Sequence, residues 1–152
     1  DSGDWRAAEM LIEEFGDVFD VLVNKRRMGQ LFSVDKAYSV VATEYIFHCE
    51  DDWVFNGIPH FVRDSVSVLE HERKAFTVHL SNTSFLYPID DFINVTPDGA
   101  EYQRILNPRL NAKNWGDTAR FYAFSFHPGL RRKSDYDEYL RPMQKFYQED
   151  NV

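Results

Sequence analysis

Glu50, Asp51 and Asp52 follow directly on the apolar run Tyr45-Ile46-Phe47-His48-Cys49. Three adjacent carboxylates repel one another, so their charge calls for an offset. The run before them reads as a buried strand, and in open α/β sheets ligands sit in the crevice outside the carboxyl ends of such strands. A hard divalent cation bridging carboxylates to a substrate phosphate is the simplest offset. The triplet therefore points to an enzyme that handles a phosphorylated substrate through a metal. Two aspartates opening a solvated turn are the plainer alternative.

The other chemistry-bearing residues narrow the field. One cysteine, Cys49, excludes an internal disulfide framework and a multi-thiolate zinc site, and its place in an apolar run suggests a small core residue. Histidines 48, 60, 71, 79 and 127 show no metal-ligand spacing. With a net charge of −8, the chain lacks the basic face of a nucleic-acid binder, and no such partner is expected. No run approaches the ~20 apolar residues of a membrane span, and no signal peptide is visible. A cytoplasmic location is the expectation, and the sequons at Asn82 and Asn94 carry little weight beside it.

The elements that must position these groups can be read from periodicity. A length of 152 residues, 43% hydrophobic and 16% aromatic, suits a single domain with its own core. Asp4 or Ser2 caps a helix bearing Trp5, Ala8, Leu11, Ile12 and Phe15 on one face, ended by Gly16-Asp17. Val18–Val23 reads as a strand and Asn24–Gly29 as a basic loop. A second helix carries Leu31, Val34, Tyr38 and Val41. After the strand at residues 45–49, a helical period runs over Ile58–Glu70 through Ile58, Phe61, Val62, Val66 and Leu69. Residues 75–80 are again strand-like. This alternation predicts βαβ units and a mainly parallel sheet. Ser81–Gly116 reads as a long irregular loop or small excursion. Arg120–Phe126 reads as a late strand, His127-Pro128-Gly129 as a turn, and Ser134 as the cap of a last helix through Tyr136, Leu140 and Met143.

The order of these pieces resembles a family-2-type glycosyltransferase of the GT-A fold, the nucleotide-diphosphosugar transferase architecture. The acidic turn Asp1-Ser2-Gly3-Asp4, the segment from Asn24 to Gly29-Gln30, and Glu44 through Asp52 stand where such enzymes carry their first turn, Asn-x-x-x-x-Gly helix opening and acidic metal motif. Phe124 through Arg132 is similar to the later strand and acceptor-side turn, and Gln148-Glu149-Asp150 to the pair that supplies the catalytic base. The resemblance implies a three-layer α/β/α sandwich with a mainly parallel, Rossmann-like sheet. Residues 1–80 would form the nucleotide-sugar half and 81–152 the acceptor half. The family's first strand is missing and the chain ends just after Asp150, so a GT-A domain incomplete at both ends is expected.

The resemblance further implies transfer of a sugar from a nucleotide-diphosphate donor to a saccharide or other hydroxyl acceptor, with inversion. Asp52 would be the direct ligand of Mn²⁺ or Mg²⁺, both suited to oxygen donors. Asp51 would lie near the donor ribose or sugar, and Glu50 would be a further ligand or a structural group. Asp150, with Glu149 as competitor, would take the acceptor proton. Lys25, Arg26 and Arg27, just before a helix N-terminus, would meet phosphates or form a solvated loop. Arg131 and Arg132 would contact diphosphate or an anionic acceptor, and Asp1 the base or ribose. Trp53 and Trp115 would stack on a sugar or simply pack. The rivals are a non-catalytic nucleotide-sugar-binding remnant and a metal-dependent phosphoesterase. The dispersed histidines disfavour the second of these.

Overall fold

The computed structural model describes residues 4–80, 92–105 and 126–142. They fall into two compact units, one drawn from Asp1–Ala42 with Tyr136–Val152, the other from Thr43–Asp135.

In the first unit, helix α1 spans Trp5–Phe15 and begins at Asp4, whose carboxylate accepts from the backbone N–H of Arg6 at 2.9 Å and of Ala7 at 3.4 Å. Those bonds satisfy donors that the first turn otherwise leaves open. Gly16 closes the helix by donating its N–H to the Ile12 carbonyl. The expected stripe is present in sequence, yet none of the residues of α1 is buried. Val18–Val23, expected as a strand, is not one. The N–H groups of Val18 and Phe19 turn back to the Phe15 carbonyl, and the Val23 carbonyl accepts from Lys36, so local partners replace a sheet neighbour. Helix α2 spans Gln30–Ser39 with Tyr38 buried and Leu31 and Val34 half-buried, as their spacing predicts. A π-helical turn at Tyr136–Leu140 seats Tyr136 fully inside the unit, edge-on to Tyr38 at 4.8 Å. The Tyr136 hydroxyl donates to Asp35, and burial together with that carboxylate holds its pKa far above the usual phenol value. Ser134 therefore lies inside a helical segment rather than capping one.

The second unit is built on strand β1 (Tyr45–His48), helix α3 (Phe61–His71), strand β2 (Thr77–His79), a hairpin of β3 (Asn94–Val95) and β4 (Glu101–Tyr102), strand β5 (Gly129–Arg132) and a short helical turn α4 (Lys133–Asp135). The sheet order is β1-β5-β2, and β5 runs antiparallel to both neighbours. β1 and β2 consequently point the same way, with α3 between them in the chain, but β5 separates them in the sheet. Every hydrogen-bonded strand pair among the described residues is nevertheless antiparallel, because β5 takes the place between the two like-directed strands. β5 begins at Gly129, the last residue of the expected turn, with His127 and Pro128 in a bend before it, while the strand expected at residues 120–126 falls outside the described residues except for Phe126, which lies in the same bend.

Strand alternation sorts the side chains. Tyr45, Phe47, Leu130 and Arg132 lie on the α3 face, where Phe47 meets Phe61 at 5.3 Å and the Tyr45 hydroxyl donates to Glu70. Arg132 is buried there and donates to the carbonyls of Leu69, Glu72 and Ala75 and to Asp135. A cation on the last carbonyls of α3 meets the negative end of the helix dipole. α3 starts at Phe61, after His60 in left-handed conformation, and buries Ser65, Val68 and Leu69 rather than Val62. The hairpin is ordered structure within the stretch expected to be irregular. Ser67 donates to Thr96 at 2.8 Å, and Glu72 accepts from Tyr102 at 2.6 Å and from Arg104 at 2.6 and 3.0 Å. These bonds hold Glu72 below the usual carboxylate range, the Tyr102 bond contributing most.

Candidate functional site

The carboxyl ends of β1 and β2 lie at one edge of the sheet. His48 and His79, the last residues of those strands, both pair with Gly129 at the start of β5. The close pairing at this edge suits a residue without a side chain at position 129. A Cβ built there would stand 2.6 Å from the Val78 carbonyl oxygen, closer than any side chain is tolerated.

Beyond β1 the chain leaves the sheet through Cys49 and Glu50 into a turn at Asp51-Asp52. The structure thus places the acidic triplet at a strand's carboxyl end. Glu50 is half-buried; Asp51 and Asp52 are exposed. Cys49, expected in the core, is exposed, its thiol 3.4 Å from the Glu50 carbonyl, because the strand ends one residue earlier than the apolar run. Among the described residues no three histidine, cysteine or carboxylate side chains converge as a ready-made metal cage. Oxygen donors of one or two carboxylates completed by phosphate oxygens remain the arrangement that suits Mg²⁺ or Mn²⁺.

Next to the turn, Trp53 tilts against His127, with ring centroids 5.0 Å apart, and His127 lies edge-on to His79 at 6.5 Å. His48 packs against Phe126 at 5.5 Å. Spacing along the chain gave no sign of this gathering of histidines. The available signal was that residues 48 and 79 each close a strand-like run.

On the same face as His48 and two residue pairs further in lies Arg131, paired in register with Ile46 and Thr77. It is fully buried, which is not the setting of a residue that would contact diphosphate or an anionic acceptor from solvent. Its charge and, more strongly, burial lower the pKa of His48 from 6.5 to about 4, which keeps that imidazole neutral near pH 7.

Lys25 and Arg27 are exposed in the loop of the first unit. That loop is pinned to α2: Asn24 donates to Ser33 at 2.9 Å and accepts from Lys36 at 2.8 Å, while Ser33 donates to the Gly29 carbonyl at 2.9 Å. Gly29 adopts φ +87° at the entry to the helix, a conformation that explains the glycine. Asp1, Glu149 and Asp150 lie outside the described residues, as does Trp115.

No family model, curated protein or solved structure matches the chain. Among the described residues no helix is long and apolar enough to cross a membrane.

Proposed function

We propose that this chain is a metal-dependent glycosyltransferase domain of GT-A type that moves a sugar from a nucleotide-diphosphate donor to a hydroxyl acceptor. The observation that carries the proposal is the position of Glu50-Asp51-Asp52 in the turn leaving β1, at the edge shared with the end of β2. In open, mostly parallel α/β sheets ligands sit outside the carboxyl ends of the strands, and the like-directed β1 and β2 both end at this edge. Asp52 and Glu50 would hold Mn²⁺ or Mg²⁺, and Asp51 would face the donor ribose or sugar. A bound cation would supply charge stabilisation for the leaving diphosphate. The protein's own share is to present the carboxylates outward from a rigid strand end while the strands behind them stay fixed by the Gly129 contact.

Calorimetric titration of UDP, GDP and dTDP, with and without Mn²⁺, tests the proposal. One nucleotide should bind in a Mn²⁺-dependent manner, and Asp52→Ala should weaken it about tenfold or more, or about 1.4 kcal/mol. Absence of Mn²⁺-dependent binding, or equal binding by Asp52→Ala, overturns it.

A further inference from the structure

Beside the outer edge of β2 the second unit holds a cavity of about 580 Å³. Pockets that enclose small ligands run to roughly 300–1,000 Å³. Phe61 and Val68 of α3, Phe76, Val78 and Leu80 in and around β2, and Ile105 beyond β4 give it apolar walls. Thr77 and His79, on the opposite face of the strand, line it as well, so the cavity follows the strand edge rather than one face of the sheet. Among the described residues β2 pairs on one side only, with β5. The Leu80 N–H donates to the Pro128 carbonyl at 2.9 Å and Val78 stands opposite Leu130, so these residues turn their backbone groups toward β5. Alternation turns the N–H and C=O of Thr77 the other way, outward along the cavity. Thr77 is half-buried, and neither group has a partner among the described residues. A half-buried backbone pair of this kind calls for a donor and an acceptor together.

The charges around the cavity select the occupant. Asp64 pairs with Arg63 at 2.9 Å and Glu72 with Arg104 at 2.6 Å. Lys74 and Glu101 line the same cavity, both exposed and neither with an ion-pair partner among the described residues. A ligand with one negative and one positive end satisfies both. A polyanion would meet the carboxylates of Asp64, Glu72 and Glu101, and a hydrocarbon chain would leave the Thr77 groups without partners. A peptide residue laid antiparallel to β2 exchanges both of its backbone bonds with Thr77 alone. In that direction its chain ends near the start of β2, where Lys74 stands just before Thr77. We infer that this cavity binds a short apolar peptide with free termini, added as a strand to β2 through Thr77, its carboxylate on Lys74 and its ammonium balanced by Glu101. The cavity shares no lining residue with Glu50-Asp51-Asp52, so peptide binding stands apart from the transferase proposal.

The test is calorimetric titration of the tripeptides Ala-Leu-Val and Ala-Phe-Val, with free termini, into the 152-residue chain. β2 is three residues long, which sets the length of the probe. At least one should bind saturably, and its C-terminal amide should bind about tenfold more weakly, because the charge-assisted bond to Lys74 is gone. Lys74→Gln should weaken the free acid by about the same factor and leave the amide within about threefold. Lys74→Arg, which keeps the charge, should hold the free acid within about threefold of the parent. At saturation the Thr77 amide should exchange with water more slowly, as read by NMR. Absence of saturable binding by both peptides overturns the inference. Equal binding of acid and amide does so too, as does free-acid binding that Lys74→Gln leaves unchanged or saturation that leaves Thr77 exchange as in the free chain.

Discussion

Replacing His48 should flatten the acid limb of this protein's stability curve. His48 is 8% exposed on the central face of the sheet, and burial, helped by the Arg131 charge, lowers its pKa from 6.5 to about 4. In the unfolded chain the imidazole takes up a proton near pH 6.5, whereas in the folded chain it resists until about pH 4. Between these values the unfolded state binds more protons, so stability falls as pH falls. The contribution is fully present above pH 6.5 and is lost progressively on the way down to about 4. At about 1.4 kcal/mol for each tenfold difference in proton affinity, the whole loss comes to about 3 kcal/mol. Urea unfolding followed by tryptophan fluorescence at pH 7, 6, 5 and 4.5 would measure it in the parent and in His48→Gln. Carboxylates held low in the fold, such as Glu72, also weaken it in acid, but they do so in both proteins and cancel in the difference. The gap between parent and variant should change by about 2–3 kcal/mol over that range, in the direction that favours the variant in acid. Parallel stability curves would refute the assignment of a depressed pKa to this histidine.

Gly129→Ala should destabilise the second unit by about 1–3 kcal/mol, since its methyl would meet the Val78 carbonyl at 2.6 Å and force β5 away from β2; a thermal melt reads the loss. Asp4→Ala should cost about 1 kcal/mol through the two N–H groups it leaves open at the start of α1, and Asp4→Asn should recover most of it in the same urea titration.

Local rules accounted for much of the described structure because they act within a few residues. The cap at Asp4, the stop at Gly16, the Leu31–Val34–Tyr38 face of α2 and the strands at 45–48 and 77–79 follow from capping chemistry and periodicity. The start of α3 was shifted by His60, whose left-handed backbone delays the helix past Pro59. Val18–Val23 has strand-like residues but no described strand beside it, and β propensity expresses itself only where a neighbour completes the ladder.

The candidate site divides along the same line. Composition and order alone determined that three carboxylates follow an apolar run, and that the chain carries too few thiols and too scattered a set of histidines for a zinc motif. Only the tertiary structure decided that β5 enters between β1 and β2. That insertion brings His48, His79 and His127 to one edge and buries Arg131, which the sequence placed among residues that would contact diphosphate or an anionic acceptor. Register is set by contacts between residues 50 to 87 positions apart, such as Thr77 with Arg131 and His48 with Gly129. No local pattern encodes such pairings, because the free energy that selects them comes from packing a glycine under a carbonyl and burying Ile46, Leu130 and Arg131 together.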